Sequence, residues 1–263
     1  MSRWDELAAE PAEELWELFH ENCKTTRHDL PFDDTAVLQH MSLQSLTFPG
    51  AEIIPIPQGP FGLPCSLEEA IRARRSTRDF APHDLTLHEV SALLQLSYGI
   101  TASNEDNGYP RPFRSVPSGG ALYPLEVFVQ VFDSSELRAG LYHFNPVESW
   151  LTLVRTGDER MRFSKSVVQP ELIRDGCAVV LLVAFFERTV FKYGSRGYRF
   201  ACMEAGHIMQ NIMLACAAQR LGCTPLAGFY EREVDALLGF DGLAQSTVYM
   251  VALGGLHGAR EGE

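Results

Sequence analysis

The chain has 263 residues, a length for one large domain or two small ones. Charged residues make up 21 % and hydrophobic residues 46 %, which excludes an extensively disordered chain. With 22 Lys and Arg against 34 Asp and Glu the formal charge is −12, and no long basic run occurs, so a nucleic-acid or anionic-membrane partner is not expected.

Any anion site must therefore be local, built from a few placed cations. The longest apolar stretch, residues 178–186, is about half of what a bilayer-crossing helix needs. The acidic N-terminus reads as a helix rather than an export signal, so a cytoplasmic location is expected. The cysteines at 23, 65, 177, 202, 216 and 223 form no CxxC pair and lie mostly in apolar surroundings. They read as reduced, buried thiols, and no metal site is expected.

Residues 4–21 carry Trp4, Leu7, Leu15, Trp16, Leu18 and Phe19 at amphipathic-helix spacing, with Pro11 as an interruption. Between residues 29 and 64 no period is sustained, and Pro31, Pro49, Pro55, Pro57, Pro60 and Pro64 keep the chain extended. Such an arm is not expected to fold alone; it should wrap over the main domain or over a partner subunit. The chain divides accordingly into an N-terminal helix and arm, 1–65, and a domain, 66–263.

Ser66 with Glu69, and Thr86 with Glu89, fit two capping boxes, predicting helices over 67–75 and 87–98, the second closed by Gly99. Leu85 and Val90 stand where a hydrophobic staple belongs. Residues 101–120 are loop by composition, and twenty residues is long enough to suspect binding. Alternation predicts a strand over 125–132, and Asn145-Pro146 marks a hairpin between 141–144 and 150–154. The apolar run 178–186 reads as a central strand buried on both faces. A long helix over 198–221 follows, stopped at Gly222 and apolar nearly all round in its second half, which suits a dimer centre or a core. A helix over 231–238 and a strand over 246–253 close the domain. This order predicts an α+β fold with helices packed on a mixed or mostly antiparallel sheet.

Four segments could carry chemistry. Arg74-Arg75-Ser76-Thr77-Arg78 offers forked guanidinium groups and hydroxyls suited to phosphate, or else a solvated basic helix end. Pro117-Ser118-Gly119-Gly120 precedes a strand, where two glycines admit close backbone approach to a flat ligand, or form a plain turn. Lys192-Tyr193 follows the central strand, where a lysine beside a phenol can move a proton or simply be structural. Gly228, in Pro225-Leu226-Ala227-Gly228-Phe229, again permits close approach. His207, Gln210 and Asn211 are polar on an apolar helix and need partners if buried. No GxGxxG or Walker A sequence is present.

Taken together, the RRSTRDF, PSGGALYPLEV, KYGSRGYRFACMEAGHIMQN and CTPLAGF blocks resemble the nitroreductase-like flavoproteins. More narrowly they resemble the SagB-type dehydrogenases, which oxidise azolines to azoles in peptide natural-product pathways. The stretch Phe19-His20-Glu21-Asn22-Cys23-Lys24 is similar to a motif near the start of that family, so the likeness runs from about residue 19 to about residue 255.

The resemblance implies an intertwined homodimer with FMN at the interface. It places Arg74, Arg75, Ser76 and Arg78 on the cofactor, Pro117, Ser118 and Gly119 along the flavin, and main-chain N–H groups of Ala227 and Gly228 toward flavin N5. Ala227 stands where nitroreductases often have an acid. A further phosphate contact falls on Arg260. Lys192 and Tyr193 match the catalytic pair of the azoline-oxidising branch, with Arg196 or Arg199 helping to lower the lysine pKa. The implied reaction sends a hydride to flavin N5 and a proton to the Lys/Tyr pair, with reoxidation by dioxygen. The implied partners are an azoline-containing peptide, a cyclodehydratase and a second copy of the chain. The alternatives are an NAD(P)H-dependent nitro or quinone reductase and a non-catalytic flavin-binding subunit.

Overall fold

A computed structural model describes residues 14–24, 34–42, 45–104, 106 and 111–257. Trp4, Leu7 and Pro11 of the first expected helix, and Arg260, lie outside them. In chain order the helices are α1 (Leu15–Asn22), α2 (Asp34–Ser42), α3 (Leu67–Ala73), α4 (Leu87–Tyr98), α5 (Arg160–Lys165), α6 (Glu171–Arg174), α7 (Glu187–Tyr193), α8 (Arg196–Gln219) and α9 (Glu231–Leu238). The strands are β1 (Glu52–Pro55), β2 (Ile100–Ala102), β3 (Phe113–Arg114), β4 (Leu125–Val131), β5 (Gly140–Asn145), β6 (Trp150–Thr156), β7 (Ala178–Phe185), β8 (Gly222–Leu226) and β9 (Gln245–Gly254).

Both capping boxes form. Ser66 and Thr86 accept from the N–H groups of Glu69 and Glu89, and each glutamate reaches back to its cap. The Asn145 side chain accepts from the N–H groups of Val147 and Glu148 and so folds the β5–β6 turn. Seven strands make one sheet in the order β1-β6-β5-β4-β7-β9-β8, every neighbouring pair antiparallel. β4 and β7 lie inside it and are buried along their whole length. One face packs on α4 and α8 through side chains such as Val127, Leu182 and Ile212. The other packs on α5, α6 and α9 through Phe128, Leu181 and Val234. Burying a residue the size of Leu182 contributes roughly 1.5–3 kcal/mol, so the central strands hold the two helical layers together.

Several expectations are corrected. The arm contains a helix, α2, and an edge strand, β1, which joins the sheet through β6. The long helix starts two residues before Tyr198 and ends at Gln219. Arg220, at φ 57°, provides the left-handed cap, and the Leu221 N–H returns to the Cys216 carbonyl. Gly222 is instead the first residue of β8, where a Cβ would crowd the Gly254 and Gly255 carbonyls and the Phe80 ring. The middle of α8 has an exposed side carrying His207 and Gln210, so these two residues are not core polar groups. Strand β4 is not polar on one face, because Glu126 and Gln130 are buried with the rest. Each of the six cysteines is a free thiol; Cys202 is exposed and Cys65 is half-buried. Among the described residues no helix is long and apolar enough to cross a membrane.

Candidate functional site

Where β7 ends, the chain turns directly into α7, which carries Lys192 and Tyr193 in its last turn. Gly194, at φ 53°, breaks the helix, and α8 begins two residues later. The two helices meet closely: a Cβ on Gly197 would come within 2.7 Å of the Val190 nitrogen. The buried Thr189 hydroxyl bridges them, donating to the Gly197 carbonyl at 3.1 Å.

A buried ion pair ties α7 to the sheet. Arg188 Nη1 lies 2.7 Å from Glu126 Oε1 on β4, and His143 Nε2 on β5 lies 2.7 Å from Glu126 Oε2. The Ser45 hydroxyl adds a hydrogen bond to the same carboxylate at 3.1 Å. Burial works to raise the Glu126 pKa but is outweighed by the Arg188 charge and the His143 hydrogen bond, so the carboxyl is held down to about 2. Arg188 precedes Lys192 by one helical turn, and fixing it fixes the helix face that presents Lys192.

The Ser-Gly loop runs beneath this pair. Gly120 has φ 64°, and a Cβ there would stand 2.7 Å from the Tyr193 hydroxyl and 3.1 Å from Lys192 Nζ. A Cβ on Gly119 would stand 2.9 Å from the Phe200 ring, which itself packs edge-on to Tyr193. Close approach to the Phe200 ring thus favours glycine at 119, and the left-handed backbone together with the crowding by Tyr193 and Lys192 favours it at 120. The loop and Lys192 border a cavity of about 720 Å³, capped by Val37 and Met41 of α2 and walled by Phe113 and Arg114. That volume lies within the range of small-molecule sites. Burial pushes the Tyr193 phenol above its ordinary value, so it keeps its proton at neutral pH. Arg196 does not face this centre alone, because its Nε donates to the Cys23 carbonyl at 2.8 Å and pins the end of α1.

The arginine segment lies elsewhere. The Thr77 N–H donates to the Cys223 carbonyl at 2.8 Å, docking residues 74–78 on β8 where α8 ends. Helix α8 has 24 residues and is about 36 Å long, and Lys192 lies at its opposite end. Arg78 is exposed, and Arg74 and Ser76 are half-buried. Arg75 turns back onto the Arg72 and Arg74 carbonyls, as a basic residue at a helix end does. Ala227 and Gly228 follow β8 as an exposed turn, and the Gly228 carbonyl accepts from the Val168 N–H at 2.8 Å. The Ser-Gly loop and the Lys/Tyr pair are thus together, while the arginine segment and the Ala227-Gly228 turn flank the edge strand β8.

One group of residues was missed. Glu204 on α8 is 2 % exposed and accepts from the Tyr98 hydroxyl at 2.8 Å. The Ser118 hydroxyl lines a small cavity with it and works to lower its pKa. The Arg114 guanidinium lies over the rings of both Tyr98 and Tyr123, 4.3 and 4.8 Å from their centres, the two rings meeting edge-on. Burial pushes Glu204 up to about 7, against the Ser118 and Tyr98 hydrogen bonds and the charges of Arg114 and Arg111, which pull it down.

This architecture has counterparts. The nitroreductase family model matches residues 71–255, and the chain belongs to that family. It is 34 % identical over 174 residues to MJ1384 of Methanocaldococcus jannaschii, which carries the nitroreductase name, covering 65 % of this chain and 83 % of that one. It is also 34 % identical over 144 residues to the microcin B17-processing protein McbC of Escherichia coli. That match covers 53 % of this chain and 52 % of McbC, so the chain spans about half of McbC's length. A chain of the E. coli microcin synthetase McbBCD complex, solved with truncated pro-MccB17 bound, shares the fold. Its TM-score is 0.58 at 24 % identity, over 92 % of both chains.

Proposed function

We propose that the protein is an FMN-dependent oxidoreductase that converts azoline rings to azoles in a peptide-type natural product. The observation that carries this reading is the convergence of Lys192 Nζ and Tyr193 Oη on Gly120 at the wall of the large cavity. The likeness to McbC, a peptide-processing protein, supports the substrate class. FMN fits the residues in part. The Gly119-Gly120 cradle excludes side chains where a flat ring can approach, and Arg74, Ser76 and Arg78 are suited to a phosphate. Arg75 adds charge there while its fork is engaged with the end of α3.

Because the arginine segment and the cavity lie at opposite ends of α8, one chain does not offer both halves of a single flavin site. In this reading a second copy supplies the missing half. Arg74, Arg75, Ser76 and Arg78, with the Ala227 and Gly228 main chain, come from one protomer. Pro117, Ser118 and Gly119, with Lys192 and Tyr193, come from the other.

When bound, FMN supplies a hydride acceptor that dioxygen regenerates. Lys192 and Tyr193 serve the proton half of the reaction: the azoline loses one ring hydrogen as hydride and the adjacent one as a proton. The Tyr193 phenol stays protonated in the neutral range and orients the substrate by donating a hydrogen bond, while Lys192 receives the proton. Val37, Met41 and Phe113 exclude water from the ring being oxidised. An azoline must first be made by cyclodehydration of Cys, Ser or Thr, so a cyclodehydratase is the implied partner.

Reconstitution tests this reading. The protein should acquire flavin absorbance bands with FMN and convert an azoline peptide to a product lighter by two hydrogens, consuming dioxygen. Absence of flavin bands overturns it. A second reading, an NAD(P)H-dependent nitro or quinone reductase, is favoured by the likeness to MJ1384. Rapid bleaching of the flavin by NADPH without azoline turnover would select it.

A further inference from the structure

Ser118 stands between two cavities. On one side it lines the large cavity with Gly120 and Lys192. On the other it lines a smaller one, about 270 Å³, shared with Glu204 and His207. Its hydroxyl oxygen accepts from the Tyr123 N–H at 2.9 Å, and the Glu204 carboxyl faces the same small cavity, near enough for the Ser118 hydroxyl to work on its pKa. A hydroxyl has one proton to give and two lone pairs. With one lone pair committed to Tyr123, its proton goes either to Glu204 or into the large cavity, and the state of Glu204 decides which.

We propose that Glu204 is a positioning residue that switches Ser118 between acceptor and donor toward a carbonyl-bearing ring in the large cavity. An ionised Glu204 takes the Ser118 proton and leaves an oxygen lone pair facing the cavity. A protonated Glu204 donates to Ser118, whose own proton then points into the cavity. The identity of the ring as a flavin rests on the function proposed above; the coupling of Glu204 to Ser118 does not. The groups around Glu204 fit the switch. Tyr98 comes from α4, Arg114 from β3, Ser118 and Tyr123 from the loop before β4, and His207 from the next turn of α8. Arg111 adds its charge from the segment before β3. Among the described residues no cation makes a direct ion pair with Glu204. The Arg114 guanidinium is stacked on the two tyrosine rings, so the carboxyl is poised to change state near neutrality rather than locked as an anion.

The Tyr123 amide proton reports the switch in the full-length protein without any cofactor. Its NMR resonance is expected to move with a midpoint near neutrality in the wild type and to stay fixed in Glu204→Gln, a near-isosteric variant that keeps a partner for Tyr98. Ser118→Ala should also abolish the movement. An amide that does not move, or that moves equally in Glu204→Gln, overturns the proposal. In FMN titrations the wild type should bind about 2–10-fold more tightly on the acid side, the worth of one hydrogen bond to a ring carbonyl. Glu204→Gln should hold the tighter value throughout. Equal pH dependence in both proteins overturns the switch. If no FMN binds at any pH, the flavin reading fails, and the Tyr123 resonance decides the Glu204 assignment by itself.

Discussion

The large cavity has two walls, each anchored by a carboxylate that is 2 % exposed. Glu126 holds the wall that carries Lys192 and Tyr193, and Glu204 holds the wall made by the Ser-Gly loop. Glu126 faces Arg188 and His143 and is kept at about 2, whereas Glu204 faces two hydroxyls and is pushed up to about 7. Equal burial therefore produces opposite electrostatics. A directly paired guanidinium makes a buried carboxylate a permanent anion and a rigid fixture, while hydroxyl donors and guanidinium charges outside direct ion-pair contact leave it titratable. In the proposed reaction the wall that places a proton acceptor is thus the fixed one, and the wall proposed to contact the ring is the one that can change its hydrogen-bonding character.

The largest effect should fall on the fixed wall. Lys192→Ala should keep the fold and lower azoline oxidation by about 100-fold or more, the loss typical of a positioned acid or base. Tyr193→Phe should lose turnover while retaining flavin. Steady-state oxidation rates and flavin absorbance check both, and full activity in both variants would remove the proton role from this wall.

Next in size is the anchor itself. Glu126→Gln leaves the Arg188 guanidinium buried without its counter-charge and should destabilise the fold by roughly 3–5 kcal/mol. Pairing it with Arg188→Met should restore much of that, because the double change removes both charges. Denaturant unfolding of the two variants measures the difference. A single variant as stable as the wild type would mean that the pair does not anchor α7.

What could be read from the residues follows the same division. Local signals were legible: the two capping boxes, the Asn145-Pro146 turn and the helix over 231–238 all rest on contacts within a few residues. Lys192 and Tyr193 were found as an adjacent pair after the central strand. Helix α7 beneath them was not, because its N-cap, Phe186, has no side chain able to cap and the preceding apolar run masks the start. The short α2 and β1 lie in a proline-rich arm without sustained periodicity. Glu126 and Glu204 were missed because their partners come from distant elements. A signal did exist for Glu204. It shares the stripe of Ala201, Ala205, Ile208 and Ile212, which marks it as a lone acid on the buried face of a helix. The separation of the arginine segment from the Lys/Tyr pair depends on the direction and length of α8, which no motif carries.

The pH dependence of stability should separate the two walls with opposite signs. The native pKa of Glu126 is lowered, so its contribution is present above the unfolded carboxylate range and is lost as the pH falls toward about 2. The native pKa of Glu204 is raised, so the fold is favoured below the unfolded range and loses that advantage as the pH rises through about 7. A rise from 4.5 to about 7 makes the Glu204 contribution on the order of 3 kcal/mol. Relative to the wild type, Glu204→Gln should be most favourable in mildly alkaline solution. Melting curves across the pH range check this, and parallel pH profiles for the two proteins would remove the contrast between the walls.

The smallest effect sharpens the contrast most. The Tyr98 hydroxyl donates to Glu204 Oε1 at 2.8 Å and thereby favours the ionised carboxyl. Tyr98→Phe keeps the ring that stacks on Arg114 and deletes only that donor, so the Glu204 titration should move further upward. The stability cost should be about 1 kcal/mol on the alkaline side, where the anion loses a hydrogen bond, and less on the acid side, where the neutral carboxyl needs it least. Glu126 should be unaffected, because its charge is set by Arg188 and His143. The Tyr123 amide titration and unfolding at two pH values measure both effects. A midpoint that stays in place would show that Tyr98 does not hold the Glu204 carboxyl in solution.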